Sequence, residues 1–207
     1  MTYKTEQEAF WSGAFGSDYI DRNKGEELLA SNLNFFTKAL RCTQRPKTCI
    51  EFGANIGMNM RALQLLYPEQ EQHAVEINAD AAALLGKVIP PENVHHMSIF
   101  DFVPDRTYDL ALIKGVLIHI NPDMLNLVYD RLTQAAGRYL LVAEYYNPRP
   151  VAIPYRGHND RLFKRDFAGE ILDRHDGFEL VDYGFAYHRD PSFPQDDITW
   201  FLMERVG

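Results

Sequence analysis

The stretch Thr48 to Met60, TCIEFGANIGMNM, decides how this chain folds. A short apolar run carries Glu51 near its end, Gly53 and Gly57 follow four residues apart, and a helical pattern opens at Met58. A strand that breaks at a glycine turn and reopens as a helix is how α/β folds bring backbone close to a nucleotide. With no Cβ, glycine takes positive φ readily or lets a ligand lie against the main chain. The spacing is E-x-G-x-x-x-G. It is not a P-loop, because no Lys-Ser/Thr pair follows, and not a full G-x-G-x-x-G, because Asn55 holds the middle place. Asn enters the left-handed region more readily than other non-glycine residues, so the loop keeps its shape. Glu51 repels a diphosphate at short range, so the loop suits an adenosine bearing a zwitterion and a cationic centre. The plainer alternative is a glycine turn that merely ends a core strand.

Outward from this loop, strands and helices alternate. On the N-terminal side, Thr5-x-x-Glu8 is a capping box before Ala9-Phe10-Trp11 and predicts a short helix, broken at Gly13, Gly16 and Ser17. Residues 18 to 23 have no clear period and read as a surface loop or a lid, since Trp11, Phe15 and Tyr19 need something to cover. From Lys24 to Arg41, Leu29, Leu33, Phe36 and Leu40 give an amphipathic helix. On the C-terminal side come a helix from Met58 to Leu66, a strand from His73 to Ile77, and a helix from Ala79 to Lys87 with Asn78 as N-cap. Strands at Val94 to Ser98, Tyr108 to Ile113 and Tyr139 to Ala143 follow, with a helix started by Asn121-Pro122 before the last.

Apolar strands alternating with helices mark a parallel sheet covered on both faces. The end of the chain differs: Phe178 to Tyr187 and Ile198 to Met203 are strand-like runs with no helix between them, so they pair antiparallel. The expectation is one α/β domain, a Rossmann-like, doubly wound, seven-stranded sheet, mostly parallel with an antiparallel C-terminal hairpin. Residues 1 to 45 form a helical lid or cap and 46 to 207 the core.

Composition narrows the function. In 207 residues, 46% hydrophobic and 24% charged is ordinary for a globular protein. The net charge of −8, with no run of Lys and Arg, argues against a nucleic-acid partner, which needs many phosphate contacts. No apolar run approaches a membrane span and the N-terminus lacks the shape of a signal peptide, so a cytoplasmic location without membrane contact is expected. Cys42 and Cys49 have neither C-x-x-C spacing nor a neighbouring His, so free thiols and no metal are expected.

Glu51-Phe52-Gly53-Ala54-Asn55-Ile56-Gly57 resembles the first motif of class I S-adenosylmethionine-dependent methyltransferases, usually acidic-x-G-x-G-x-G, from which Asn55 departs. The terminal hairpin is also the feature that separates that family from plain dinucleotide-binding folds. The resemblance implies S-adenosylmethionine as cofactor, bound across the carboxyl ends of the strands. Glu51, Gly53, Ala54, Asn55 and Gly57 then face its methionine part. Glu76 with Ile77, about twenty residues on, accepts the ribose hydroxyls. Ser98, Ile99 and Phe100 pack the adenine, although many relatives have Asp at the place of Ser98; Asp101 is an alternative contact. Lys114-Gly115-Val116-Leu117-Ile118-His119-Ile120 resembles the segment beside the methionine and the transferred methyl group, and Tyr19 of the lid is a further cofactor-binding candidate. His119 is either a general base, having a pKa near neutrality, or a loop-holding hydrogen-bonding residue. Tyr145 and Tyr146 are further catalytic candidates. Asn147-Pro148 superficially resembles the N-P-P-Y signature of other methyltransferases, which follows the fourth strand instead.

After the fifth strand the chain gathers Tyr155, Arg156, His158, Arg161, Lys164 and Arg165. In an acidic protein this suggests a site for an anionic small-molecule acceptor, with Tyr155, Arg156, His158, Lys164 and Arg165 binding it; the alternative is a solvated loop with surface ion pairs. This loop, FWSGAFGSDYIDRN near the start and FPQDDITWFLMER near the end together resemble the pseudaminic acid biosynthesis-associated methyltransferases, which implies a sugar-derived acceptor methylated on N or O. An amino-acid, peptide or natural-product acceptor, or a non-catalytic cofactor-binding protein, are the alternatives. A monomer or a homodimer fits either.

Overall fold

A computed structural model describes residues 3–20, 25–155, 157 and 161–206, without the side chains of Asp18 and Tyr19. Helices α1 (Glu6–Ser12), α2 (Ala14–Ile20) and α3 (Glu26–Ala39) precede β1 (Thr48–Phe52). Then come α4 (Met58–Leu66), β2 (Glu71–Glu76), α5 (Ala79–Leu85), β3 (Val94–His96), β4 (Tyr108–Lys114), α6 (Leu125–Ala135) and β5 (Ala136–Glu144). The short strands β6 (Val151–Ala152) and β7 (Phe163–Lys164), α7 (Phe167–Arg174), β8 (Phe178–Ala186) and β9 (Ile198–Arg205) complete the chain.

Seven strands form one sheet in the order β3-β2-β1-β4-β5-β9-β8. The first five are mutually parallel, and β9 runs antiparallel to both β5 and β8. The terminal hairpin is thus as the sequence predicts, and β6 and β7 form a separate antiparallel pair. Strand order reverses between β1 and β4, the position where an open α/β sheet leaves a crevice at its carboxyl ends.

The period of two along the strands divides the core. Ile50, Phe52, Ala111, Ile113, Leu140 and Val142 face one layer with α6 and α7, through Leu125, Val128, Leu132, Phe167 and Ile171. Cys49, Leu110, Leu112, Tyr139 and Leu141 face the other, with Leu29, Phe36, Met60, Leu63 and Leu85. Burying each such large side chain stabilises the fold by about 1.5 to 3 kcal/mol. Gly57 holds the start of α4 in the left-handed region at φ 83°, and a Cβ there would come within 2.7 Å of Leu85 Cδ1.

Several elements depart from the sequence reading. Gly16 and Ser17 do not end helical structure but lie inside α2, because Gly13 alone makes the corner. Gly16 is required there for packing, since a Cβ would fall 1.9 Å from the Trp11 carbonyl oxygen. The third strand stops at His96, since Ser98 turns to cap its own loop through Phe100 N–H. The fifth begins three residues earlier, at Ala136. Helix α7, capped by Asp166 accepting from Gly169 N–H at 2.9 Å, was not anticipated, because its eight residues sit in a stretch read for its charges. Both cysteines are free thiols, Cys49 buried and Cys42 exposed. Among the described residues no helix is long and apolar enough to cross a membrane.

Candidate functional site

A cavity of about 480 Å³ opens at the carboxyl ends of β1, β2 and β4, roofed by α1 and the first turn of α2 and walled on one side by the β8–β9 loop. The β1 turn supplies Gly53 at φ 77° and Asn55 at φ 50°, so Asn55 does occupy the left-handed region. Gly53 and Ala54 both donate N–H to the Val75 carbonyl, which pins the turn against β2. A Cβ on Gly53 would meet Val116 Cγ2 at 2.6 Å.

Glu76, at the end of β2, lines this cavity and is 7% exposed. Its Oε2 accepts from Asn55 N–H and its Oε1 from Asn78 N–H, both at 2.7 Å. Each oxygen keeps a further lone pair for a ligand hydroxyl. Burial raises its pKa, against the lowering effect of those N–H groups. Beside it, Ile77, Ile99 and Phe100 form an apolar slot, with Ser98 at its base.

Ser98 shows what the sequence reading missed. Its hydroxyl donates to Glu8 Oε1 of α1, so the acid absent from the end of β3 is delivered by the N-terminal helix. Glu8 Oε2 accepts Lys4 and Thr5 N–H at 2.5 and 3.1 Å, within the capping box. That box was legible; its second use was not, because the two residues are 90 positions apart. The roof is tied down elsewhere by Asn78 Nδ2, which donates to the carbonyl oxygens of Trp11, Ser12 and Gly13 at 3.3 to 3.4 Å, and by Ser17 Oγ donating to Asp80 at 2.7 Å.

At the end of β4, Lys114, Gly115 and Val116 line the cavity, with Gly115 at φ 69°. Glu144 ends β5 and accepts from Val116 and Leu117 N–H at 2.9 Å and from Ile118 N–H at 3.4 Å. It caps the helical turn of residues 117–119, and burial pushes its pKa up to about 7. His119 is held in that turn: its Nδ1 donates to the Arg161 carbonyl at 2.7 Å, and its ring packs 4.5 Å from Trp11 and 5.4 Å from Tyr155. Burial lowers its pKa to about 4. It is therefore a neutral imidazole at pH 7 whose Nε2, in the tautomer that Nδ1 dictates, is an acceptor.

The remaining candidates separate. Tyr145 and Tyr155 line the cavity. Tyr146, one position along an extended backbone, points the opposite way: it is 40% exposed and rests on Phe201 at 5.9 Å. Glu51 and Gly57 lie behind the cavity wall. Glu51 accepts from Asn59 Nδ2 at 2.6 Å, is 1% exposed, and has its pKa raised by burial to about 7. In the loop after β5, Arg161 pairs with Glu6 at 2.9 Å and Arg165 with Glu170 at 2.8 Å, so both cations tie elements together rather than line the cavity. Lys164 sits over the Tyr145 ring at 5.1 Å. Arg156, His158 and the side chain of Tyr19 lie outside the described residues.

The fold has counterparts among solved structures. A Burkholderia thailandensis 1,6-didemethyltoxoflavin N1-methyltransferase with bound 1,6-didemethyltoxoflavin and S-adenosylhomocysteine superposes with a TM-score of 0.71 at 17% identity, over 100% of this chain and 92% of that one. A Synechocystis PCC 6803 magnesium protoporphyrin IX methyltransferase with bound S-adenosylmethionine gives 0.68 at 11% identity, over 100% of both chains. The fold is that of the class I methyltransferases. A mitomycin 7-O-methyltransferase gives 0.65 at 15% identity over 98% of this chain, which spans only 61% of that protein. At these identities the likeness is one of fold. Neither a family model nor a curated protein matches the sequence.

Proposed function

We propose that this protein is an S-adenosylmethionine-dependent methyltransferase acting on a small-molecule acceptor. The observation that carries the reading is the buried Glu76 carboxylate facing the cavity beside the left-handed Gly53–Asn55 turn, the chemistry that holds a ribose against backbone. The chain's residues fit the cofactor: Glu76 for the two ribose hydroxyls, Ile77, Ile99 and Phe100 for the adenine faces, and the Gly53 cradle, which a Cβ would fill, for close approach. When bound, the cofactor supplies an electrophilic methyl group on a sulfonium.

The residues' own work is alignment and exclusion of water. Val116, Ile118, Ile120 and Leu162 make that part of the cavity apolar, and Trp11, Tyr145 and Tyr155 border it. These side chains would hold an acceptor nitrogen or oxygen with its lone pair towards the methyl group, and water or His119 Nε2 would take the proton the acceptor gives up. Positioning and desolvation carry most of such an acceleration when the acceptor is a neutral amine. A base matters more for a hydroxyl, and an imidazole with pKa about 4 is a weak one at pH 7.

For the acceptor, we infer a small sugar-derived anion. The aromatic border suits the apolar face of a sugar ring, and the resemblance of the loop segments points to the same class. The anion-binding part rests on Lys164, beside Tyr145, and on Arg156. Transfer of labelled methyl groups to a panel of sugar acids, amino acids and peptides tests the reading. Product with sugar acids, and a raised acceptor KM in Lys164→Ala and Arg156→Ala, is the expected result. Transfer to neutral acceptors alone would reject the anion.

A further inference from the structure

His119 lines the cavity in the turn after β4, and its Nδ1 donates to the main-chain carbonyl of Arg161 at 2.7 Å. Among the described residues nothing bonds its Nε2. The carbonyl sits at the tip side of the β6–β7 hairpin, where Val151 pairs with Lys164 and Ile153 N–H donates to the Leu162 carbonyl at 2.8 Å. That hairpin is fastened to the roof. The Arg161 guanidinium pairs with Glu6 of α1 at 2.9 Å and lies 5.9 Å from the centre of the Phe10 ring. Trp11, from the same helix, packs its ring 4.5 Å from the imidazole. The hydrogen bond made by one imidazole nitrogen decides which of the two carries the proton. A carbonyl only accepts, so the proton stays on Nδ1 and Nε2 keeps its lone pair.

We propose that Arg161 is a positioning residue: its side chain, anchored on Glu6 and Phe10, sets its own carbonyl on His119 Nδ1 and so fixes the imidazole in the tautomer whose Nε2 accepts. An amine or hydroxyl that donates its hydrogen to Nε2 keeps its lone pair free for the methyl group. The other tautomer would aim a ring N–H at that lone pair and compete for it. That use of Nε2 rests on the methyltransferase function proposed above; the tautomer itself does not. The two ends of the anchor differ in weight. Glu6 has a side chain 79% exposed and Arg161 one 10% exposed, and an ion pair open to water at one end contributes little alone. The buried Arg161 side chain therefore matters more than the charge on Glu6.

Two-bond proton–nitrogen NMR correlation on the nitrogen-labelled full chain at pH 7 reads the tautomer directly, with His119→Asn supplying the assignment. The wild type is expected to show a protonated Nδ1 and a bare Nε2. Arg161→Ala should move the tautomer ratio towards Nε2–H by about two- to tenfold, what the loss of one neutral hydrogen bond carries. Arg161→Lys, which keeps the charge, should restore most of the wild-type pattern, and Glu6→Gln should shift it in the same direction as Arg161→Ala but by less. An Nε2–H tautomer in the wild type, or an unchanged ratio in Arg161→Ala, overturns the positioning role. Should Arg161→Ala fail to fold by circular dichroism, Glu6→Gln decides, and an unchanged ratio there overturns it as well. Calorimetry with S-adenosylhomocysteine on the same wild-type sample separates the two readings. An Nδ1–H tautomer without binding leaves the positioning role standing and overturns the methyltransferase function; binding with an Nε2–H tautomer does the reverse.

Discussion

Glu8 on α1 accepts the hydroxyl hydrogen of Ser98 beyond β3, joining the N-terminal roof of the cavity to the slot where an adenine would lie. The same carboxylate closes the capping box of α1, so one residue holds both the helix and its docking. Glu8→Ala is expected to lower the stability of the roof by about 1 to 2 kcal/mol. Amide hydrogen exchange should show faster exchange in residues 6–20 with little change in β1, β4 and β5. Unaltered exchange in α1 would mean that Ser98 does not hold the roof.

Glu76 bonds two backbone N–H groups and faces the cavity. Glu76→Gln preserves its size but turns an amide NH₂ towards a donor and removes the charge. Cofactor affinity is expected to fall by roughly 1.5 to 3 kcal/mol, ten- to hundredfold. Equal affinity in calorimetry would remove Glu76 from the ribose site.

At Gly53 two costs combine, a left-handed backbone and the approach to Val116 Cγ2. Gly53→Ala is expected to cost about 1 to 3 kcal/mol in urea denaturation and to impair cofactor binding. Adding Val116→Ala should relieve the contact but not the φ strain, so rescue should be partial. Full rescue would show that backbone conformation is unimportant there.

His119 has an ordinary pKa of 6.5 when unfolded and about 4 when folded. Between these values the unfolded chain binds the proton and the native one does not, so its contribution is present above pH 6.5 and is lost as pH falls towards 4, by at most about 3 kcal/mol. His119→Asn should flatten that part of the stability profile. A kcat profile between pH 6 and 8 should have no limb belonging to this residue; a limb near 6.5 that vanishes in the variant would make it a general base.

Glu144 titrates in the opposite sense. Its pKa is raised from 4.5 to about 7, so its contribution is complete below pH 4.5 and declines as pH rises through 7. Glu144→Gln should remove this decline. It should also loosen the 116–118 turn, where three N–H groups share one carboxylate, at a cost of about 1 to 3 kcal/mol. Hydrogen exchange faster at those three amides than elsewhere is the expected signature.

Local chemistry made much of this protein legible from its sequence. The Thr5–Glu8 capping box, the Asn78 and Asn121 caps, the left-handed Asn55 and the antiparallel end of the sheet depend on residues a few positions apart or on the period of two within one strand. Such features need no knowledge of what lies opposite. Tertiary structure alone decided which charges face the cavity. Arg161 and Arg165 belonged to one basic loop by composition, but Glu6 and Glu170 claim them. Tyr145 and Tyr146 are adjacent in sequence, and the alternation of an extended chain sends one to the cavity and the other outward. The pairing of Glu8 with Ser98 and the approach of Lys114 to Asp196 each join segments more than 80 residues apart. No periodicity encodes such meetings, because they follow from the packing of whole layers on the sheet rather than from local backbone preference.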